Sequence, residues 1–286
     1  MERTTAGWWS GLAGVLIFSG SLPATRVAIQ DFSPLFLTGA RATIAALLGG
    51  GLLLLLRQPR PARGDLLPLA IVALGVVVGF PLLTALALRH ISAGHSVVFI
   101  GLLPLATALF GVLRGAERPR PAFWLFSLAG AAIVAGFALT SGQGGTAAGD
   151  LLMIAAVIVC GLGYAEGAAL SRRLGGWQVI SWALLLSLPV MAVVGLFSLP
   201  THWGNISSPG WLSLGYVSLF SMLIGFLFWY RGLALGGIAG VSQLQLLQPF
   251  FGLLLAGLLL HETIGWSMIV CASAVILCVF GAKRFT

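Results

Sequence analysis

The sequence predicts an all-α integral membrane protein with ten transmembrane helices that form two inverted five-helix repeats. Of its 286 residues, 59% are hydrophobic and only 8% are charged, and the mean hydropathy is +1.05. A soluble domain with so few polar residues could not cover its surface. The apolar residues fall into runs about as long as a bilayer is thick, and several features of the first half recur in the second.

Ten apolar runs each have about the length of a membrane-spanning helix, which needs roughly 20 mostly apolar residues. They are rich in Leu, Ala and Gly and are too long for the strands of a membrane barrel, so helices are the spanning structure that satisfies their backbone. In chain order, the predicted helices are 7–26, 34–56, 66–88, 93–113, 121–140, 149–170, 176–199, 210–235, 239–260 and 264–282. We expect the first run to be a retained helix and not a cleaved signal peptide, because many similar runs follow it.

The basic residues lie on alternate connectors and therefore predict the orientation. When the N-terminus is placed in the cytoplasm, twelve of the fifteen basic residues fall on the inner side, as the positive-inside rule requires. Only Arg26 and Arg89 fall outside, and Arg41 lies within a helix. Both termini are therefore predicted to be cytoplasmic. The net charge of +8 is explained by this topology and by contact with anionic lipid, without a nucleic-acid partner.

Matching motifs occur in both halves of the chain, at offsets of 145 to 147 residues. The matched pairs are Ala87-Leu88-x-x-Ile91-x-Ala93-Gly94 with Ala234-Leu235-x-x-Ile238-Ala239-Gly240, Ser96 with Ser242, Pro104 with Pro249, and Glu117 with Glu262. Each half holds five helices, and an odd number inverts the second copy in the membrane. We expect repeats over 1–145 and 146–286, an arrangement common in secondary transporters, which bind substrate near the midplane between the copies.

These duplicated motifs resemble the EamA-type domain of the drug/metabolite transporter superfamily. The stretch Leu22-Pro23-Ala24-Thr25, Arg41 in the second helix, and Gly149-Asp150 at the start of the sixth helix fit the same family. Within it, the chain is similar to bacterial amino-acid exporters of the YddG type. The resemblance implies an alternating-access transporter of the bacterial inner membrane that exports small neutral or zwitterionic metabolites, aromatic amino acids included. One departure is that Leu184 stands where the second repeat would carry a counterpart of Arg41.

A polar face on the ninth helix is the first candidate for a substrate cavity. At 100° per residue, Ser242, Gln245, Gln248 and Pro249 share one side, whereas Gln243 points elsewhere. Amides in hydrocarbon need hydrogen-bond partners, so this face should meet protein or water. Two interpretations are open: the face binds the carboxylate and ammonium of a zwitterion, or it makes ordinary hydrogen bonds between helices.

The matching fourth helix supplies His95, Ser96 and Phe99 as further cavity candidates. His95 is either a polar cavity residue and proton acceptor or a neutral histidine satisfied by a neighbour. Phe99 either contacts substrate or packs in the core. Pro104 and Pro249 each remove a backbone donor at corresponding positions of the two repeats, so they are the candidate hinges, with a static bend as the alternative.

Three other residues could contribute charge or a hydroxyl inside the bundle. Arg41 either attracts a substrate carboxylate or braces neighbouring helices. Glu166 is a candidate for proton coupling, unless it pairs with a nearby Arg or reaches the inner headgroups. Tyr164 could offer its hydroxyl and its ring to the cavity. Glu117 lies at a helix end, where a connector cap or an ion pair is expected.

Other functional classes fit the sequence less well. Lys283 is the only lysine, so the chain has no Walker A loop to bind ATP. His261-Glu262 lacks the second His of a His-Glu-x-x-His zinc motif, which disfavours an intramembrane hydrolase. A passive channel for small polar solutes is the main alternative to a transporter. We expect no cofactor and no metal; the expected partners are a small-molecule substrate and membrane lipid, and the oligomeric state is open, a monomer included.

The predicted topology can be tested by labelling single cysteines at Gly144 and Gly204, which lie in the predicted outer connectors, after the native cysteines are replaced. Both should react with a membrane-impermeant thiol reagent added to intact cells, because the positive-inside rule places these connectors outside. A cysteine at Arg60 is the inner control and should react only after the membrane is opened. Inner-only labelling at Gly144 and Gly204 would overturn the assignment.

Overall fold

A computed structural model describes residues 2–91, 96, 99–115, 117–141, 146–252, 254 and 266–286, and these residues are helical or lie in short connectors. Six helical stretches are long and apolar enough to cross a membrane: Glu2–Asp31, Pro34–Leu55, Arg63–Ala87, Ala147–Leu174, Gly176–Phe197 and Ser208–Gly236. Leu103–Arg114 and Pro121–Phe137 are shorter apolar helices. The described part of the chain thus confirms the prediction of an all-helical, multi-pass membrane protein.

The helices follow one another through short connectors. Those of the first half are α1 (Glu2–Ser19), α2 (Ser21–Asp31), α3 (Pro34–Leu55), α4 (Arg63–Ala87), α5 (Leu103–Gly115) and α6 (Pro121–Ser141). Those of the second half are α7 (Ala147–Leu174), α8 (Gly176–Phe197), α9 (Ser208–Gly236), α10 (Ile238–Ser242) and α11 (Trp266–Arg284). Each of the ten predicted runs overlaps one or two of these helices.

The first predicted helix, 7–26, is interrupted at Gly20, where a tertiary contact competes with the helical pattern. The Tyr216 hydroxyl donates to the Ile17 carbonyl at 2.5 Å, an acceptor that a continuous helix would keep for its own backbone. A Cβ on Gly20 would meet that same hydroxyl at 2.5 Å, so a glycine is needed where α9 approaches this closely. The predicted span 7–26 therefore lies within one apolar stretch, Glu2–Asp31, with a local break at Gly20, and α2 carries the chain on to Asp31.

Polar residues begin three of the helices. Ser33, Thr146 and Ser207 precede α3, α7 and α9, and each hydroxyl accepts from a backbone N–H three residues further on, at 3.1 to 3.2 Å. Such caps satisfy donors that the first turn of a helix leaves free. Asp31 accepts from the Ser207 N–H at 3.1 Å and from its hydroxyl at 2.5 Å, which ties the start of α9 to the end of α2.

Helices of the two halves pack against each other in pairs. α3 contacts α8, α5 contacts α10, and α6 contacts α11, while α1 lies against α9 and α4 lies against α7. Lipid gives helices no hydrophobic reason to associate, so small residues at the crossings bring backbones close. A Cβ on Gly39 of α3, for example, would lie 2.6 Å from the Gly195 nitrogen of α8.

α4 and α9 each contain a π-helical turn. The turns cover Ala73–Gly79 and Val217–Ile224, so the second begins 144 residues after the first. π-turns are rare and are frequent at functional sites, because the extra residue in the turn changes the direction of the side chains that follow. Both turns contribute residues to the same cavity in the core.

Candidate functional site

A cavity, here called the central cavity, lies between helices from both halves of the chain. Its described lining residues are Phe18, Ser21, Leu22, Thr25, Arg41, Val76, Phe80, Pro81, Thr84, Ile100, Leu103, Tyr164, Ser221, Met222, Phe226 and Gln248. Its volume of about 40 Å³ holds a few water molecules but no amino acid. Val76 comes from the π-turn of α4, and Ser221 and Met222 come from that of α9. Because its volume is so small, the cavity is in a contracted form.

Arg41 is the charged residue of the central cavity. Only 6% of it is exposed, its Nη2 donates to the Ser221 hydroxyl at 3.1 Å, and its Nε has no hydrogen-bond partner among the described residues. Ser21 also donates to the Ser221 hydroxyl, at 2.7 Å, so side chains of α2, α3 and α9 meet at one oxygen. No described lining residue is acidic. The guanidinium thus faces the cavity with part of its hydrogen-bonding capacity unused.

Five buried aromatic residues form a layer on one side of the central cavity. They are Phe18, Tyr164, Phe226, Trp229 and Tyr230, with ring centroids of neighbours 5.0 to 6.2 Å apart. The Tyr230 hydroxyl donates to the Gly163 carbonyl at 3.2 Å, and its ring passes Gly167, where any Cβ would overlap it. Trp229 and Tyr230 follow the cavity-lining Phe226 on α9, so this part of the aromatic layer lies on the Arg231 side of the cavity.

The predicted ninth helix is not a continuous α-helix. α10 changes to a 3₁₀-helix over Gln243–Leu247, and the Gln248 N–H donates to the Gln245 carbonyl, three residues back. The physical reason is Pro249. In an α-helix the N–H of residue 249 would donate to the Gln245 carbonyl, but proline has no N–H, and the Gln248 N–H takes that carbonyl instead. Since a 3₁₀-helix has three residues per turn, Ser242, Gln245 and Gln248 still share one side, as predicted.

The two glutamines on that side have different surroundings. Gln248 lines the central cavity, and its Nε2 donates to the Phe18 carbonyl at 3.3 Å. Gln245 is fully buried beside the Tyr164 hydroxyl, and neither atom of its amide makes a hydrogen bond of good geometry within the described residues. Gln243 is equally buried, and its Nε2 donates to the Ala239 carbonyl, four residues earlier, at 3.5 Å.

The two candidate hinge prolines interrupt helices that touch each other. Just before Pro104, the Leu102 N–H donates to the Phe99 carbonyl at 2.9 Å, three residues back, and the same spacing precedes Pro249. The Ser242 hydroxyl donates mainly to the Ala239 carbonyl of its own helix, at 2.8 Å, and also lies 3.4 Å from the Pro104 carbonyl, where the two interrupted regions meet. Whether these interruptions serve as hinges stays a prediction.

The predicted cavity residues are only partly brought together. Ser96 and Phe99 are buried but do not line the described wall, whereas the neighbouring Ile100 does. His95 lies outside the described residues. The predicted candidates in the described wall are Arg41, Tyr164 and Gln248.

Sequence reasoning missed most of the polar wall, because its residues are ordinary serines and threonines within apolar runs. The missed polar residues are Ser21, Thr25, Thr84 and Ser221. One signal could have found part of it: Ser221 stands 145 residues after Val76, the offset of the matched motifs, and both line the cavity.

The described residues form three ion pairs, all at the end of the bundle that carries most basic connectors, here called the basic end. The pairs are Arg173–Asp65 at 2.6 Å, Arg172–Glu117 at 2.7 Å, and Arg114–Glu166. Glu166 was predicted either to titrate or to pair with a nearby Arg, and it pairs with one from α5. Its carboxylate is buried, whereas Arg114 is about half-exposed.

Glu117 has a second set of partners at the basic end. Its Oε1 accepts from the Ile238 N–H at 2.8 Å and its Oε2 from the Ala239 N–H at 2.7 Å. A carboxylate there satisfies free donors and complements the positive end of a helix dipole. The connector of the first half thereby caps α10 of the second half, while Arg172 neutralises the same carboxylate.

Comparison with known proteins adds a family and relatives. Residues 5–142 and 147–282 each match the EamA-like transporter family. The uncharacterized transporter YdeK of Bacillus subtilis is 66% identical over 285 residues, which cover 100% of this chain and 99% of that protein. An uncharacterized transporter of Synechocystis is 25% identical over 91% of this chain and 86% of its own. The uncharacterized inner membrane transporter YedA of Escherichia coli K12 is 24% identical over 73% and 68%, respectively.

A solved crystal structure shares the fold. It matches with a TM-score of 0.78 and 20% sequence identity, over 97% of this chain and 96% of that chain. At this identity the likeness concerns the arrangement of the helices and carries no information about the substrate.

The Glu117 cap predicts an order of stabilities among three variants of the basic end. Glu117→Gln should lower the apparent melting temperature of the purified protein most, because it weakens two partly buried charge-assisted hydrogen bonds worth roughly 1.5–3 kcal/mol each. Arg172→Gln should cost under about 1 kcal/mol, because its ion pair is solvent-exposed. Arg118→Gln, at an exposed neighbour, is the control. If Arg172→Gln is as destabilising as Glu117→Gln, the hydrogen bonds of Glu117 to α10 add nothing to stability beyond the ion pair.

Proposed function

The chain belongs to the EamA-like transporter family, and from this membership we propose that it is a secondary transporter that exports small neutral or zwitterionic metabolites, amino acids above all. The observation that carries the proposal is the central cavity. It combines Arg41, a glutamine amide and several hydroxyls with aromatic and aliphatic walls, in the middle of apolar helices. Such a lining suits a molecule with a charged or polar head and an apolar side chain, as aromatic and branched amino acids have.

We infer that the chain consists of two inverted five-helix repeats, 1–145 and 146–286, that move against each other in alternating access. The helix pairs support this arrangement. A twofold relation pairs the second, fourth and fifth helices of one repeat with their own counterparts, as α3 with α8, α5 with α10 and α6 with α11. It also makes the contact of α1 with α9 equivalent to that of α7 with α4. The two π-turns occupy related positions as well.

We propose that the protein lies in the inner membrane of a bacterium and that the basic end faces the cytoplasm. The density of Arg residues there supports this orientation, as does the inner-membrane name of the Escherichia coli relative. In that orientation the aromatic layer and the Glu117 cap close the inner side of the cavity. Loading from the cytoplasm then requires these contacts to open.

A passive channel would need a path that stays open, whereas the central cavity is contracted and bordered by the aromatic layer. The relatives are all named transporters, which favours transport over an intramembrane enzyme. These observations support a carrier with a binding site that is exposed to one side at a time.

The test is counterflow in proteoliposomes that hold the pure protein, with a panel of radiolabelled amino acids. A carrier should show saturable exchange that is accelerated by unlabelled substrate on the opposite side. Gln248→Leu, in the cavity wall, and Gln245→Leu, beside Tyr164, should reduce exchange more than Gln243→Leu does, at matched reconstitution. Linear, non-saturating flux without counterflow would instead indicate a channel, and equal activity of the three variants would give the polar face no part in transport.

The drive is proposed to be the substrate's own gradient, without proton antiport. Glu166, a candidate coupling group, is held in the ion pair with Arg114, which favours a structural role for this carboxylate. Glu166→Gln should therefore leave zero-gradient exchange and gradient-free efflux largely intact, although it should reduce stability. An imposed pH gradient should not concentrate substrate in proteoliposomes. Concentrative uptake that is lost in Glu166→Gln would reverse this assignment and make Glu166 the coupling site.

A further inference from the structure

Arg41 is incompletely satisfied for a buried charge. A guanidinium carries five N–H donors and no acceptor, and it stays charged in a protein. The described structure supplies Ser221 for Nη2 and leaves the buried Nε without a partner. The carboxylates of Asp31, Asp65, Glu117 and Glu166 bond to other groups. An uncompensated buried charge costs several kcal/mol, so a residue that only braced helices would be expected to have its donors filled.

The Ser221 hydroxyl is arranged to assist an anion bound by Arg41. It accepts from Arg41 at 3.1 Å and from Ser21 at 2.7 Å, which leaves its own hydrogen for a third group. A carboxylate that reached the buried Nε in a more open form would thus find a charged donor and, at Ser221, a hydroxyl donor. The described lining also includes three aromatic rings, those of Phe18, Phe80 and Phe226.

The same wall offers little to an ammonium group. No carboxylate lines the described cavity, and the Gln248 amide already donates to the Phe18 carbonyl, which leaves its oxygen as a neutral acceptor. A positively charged ligand would also be repelled by Arg41. The electrostatics of the described cavity therefore favour an anionic head and offer no charged partner to an amino group.

We propose that Arg41, assisted by Ser221, binds the carboxylate of the transported molecule, and that this carboxylate, and not the ammonium, is the obligatory group. This inference rests on the proposed function and deepens it. It extends the substrate class from amino acids to monocarboxylates with apolar side chains, such as the 2-oxo or 2-hydroxy acids of the same carbon skeleton. It excludes the corresponding amines.

The experiment compares three probes that share one side chain: leucine, 4-methylpentanoate, which lacks the ammonium, and isoamylamine, which lacks the carboxylate. Binding is measured as the concentration-dependent rise in melting temperature of the purified protein, and competition is measured in leucine counterflow. Leucine and 4-methylpentanoate should both bind and compete, and isoamylamine should do neither. If isoamylamine competes as well as 4-methylpentanoate does, the proposal is wrong, and this result needs only the wild-type protein.

Variants then assign the interaction to Arg41 and Ser221. Arg41→Gln should weaken binding of both carboxylates about tenfold or more, the size expected for a charge-assisted hydrogen bond, and Arg41→Lys should recover part of the loss. Ser221→Ala should weaken binding by a smaller factor. Ser218→Ala is the matched control, because Ser218 is buried in the same π-turn and donates to the Leu214 carbonyl of its own helix.

The outcomes separate this inference from the proposed function. If leucine is exchanged and a folded Arg41→Gln binds it with unchanged affinity, the carboxylate site is wrong and amino-acid export stands. If no amino acid is exchanged but 4-methylpentanoate stabilises the wild type and not Arg41→Gln, export of amino acids is wrong and the carboxylate site stands. If none of the probes binds or is exchanged, both are overturned.

Discussion

The hydrogen bonding of the backbone inside lipid is the constraint on which the rest of this structure depends. No water is available in the hydrocarbon to replace a broken helical bond, so irregular backbone is tolerated only where protein or a cavity supplies partners. The described departures from α-helix obey this rule. The interruption at Gly20, the two π-turns and the 3₁₀ segment before Pro249 all lie beside the central cavity. The regular helices elsewhere form the frame around that irregular centre.

Close packing and charge hold the frame together in different places. In the apolar middle, glycines such as Gly39 bring backbones of the two halves into contact, since dispersion forces are what helices can gain in lipid. At the basic end, carboxylates satisfy helix termini and arginines at once, as Glu117 does for α10 and Arg172. At the start of α9, Ser207 caps the helix and donates to Asp31, so a hydroxyl and a carboxylate together satisfy that terminus.

The sequence predicted what depends on composition and periodicity. Run length predicted where the helices lie. The three-residue spacing of Ser242, Gln245 and Gln248 on the ninth helix predicted that they share a side. This prediction holds in the 3₁₀ segment as well, because that helix has three residues per turn. The sequence could not predict the interruption at Gly20, which depends on a hydroxyl 196 residues away, at Tyr216. Nor could it choose between the interpretations of Glu166, because the partner from α5 is near only after folding. The serines of the cavity wall carry no local signal at all.

In the proposed transport cycle, the contracted cavity and the capped basic end both belong to the closed form. A ligand shifts a conformational equilibrium only by the difference between its affinities for the two states. A cavity of about 40 Å³ cannot admit a substrate, so any molecule that engages Arg41 must bind a more open form. Opening toward the basic end would break the hydrogen bonds of Glu117 to Ile238 and Ala239, each worth roughly 1.5–3 kcal/mol. Hydrogen bonds from Arg41 to a bound carboxylate would offset the free energy lost when the Glu117 hydrogen bonds break. A bound carboxylate would therefore shift the proposed carrier toward its open form, while net export down a gradient also requires the empty carrier to open.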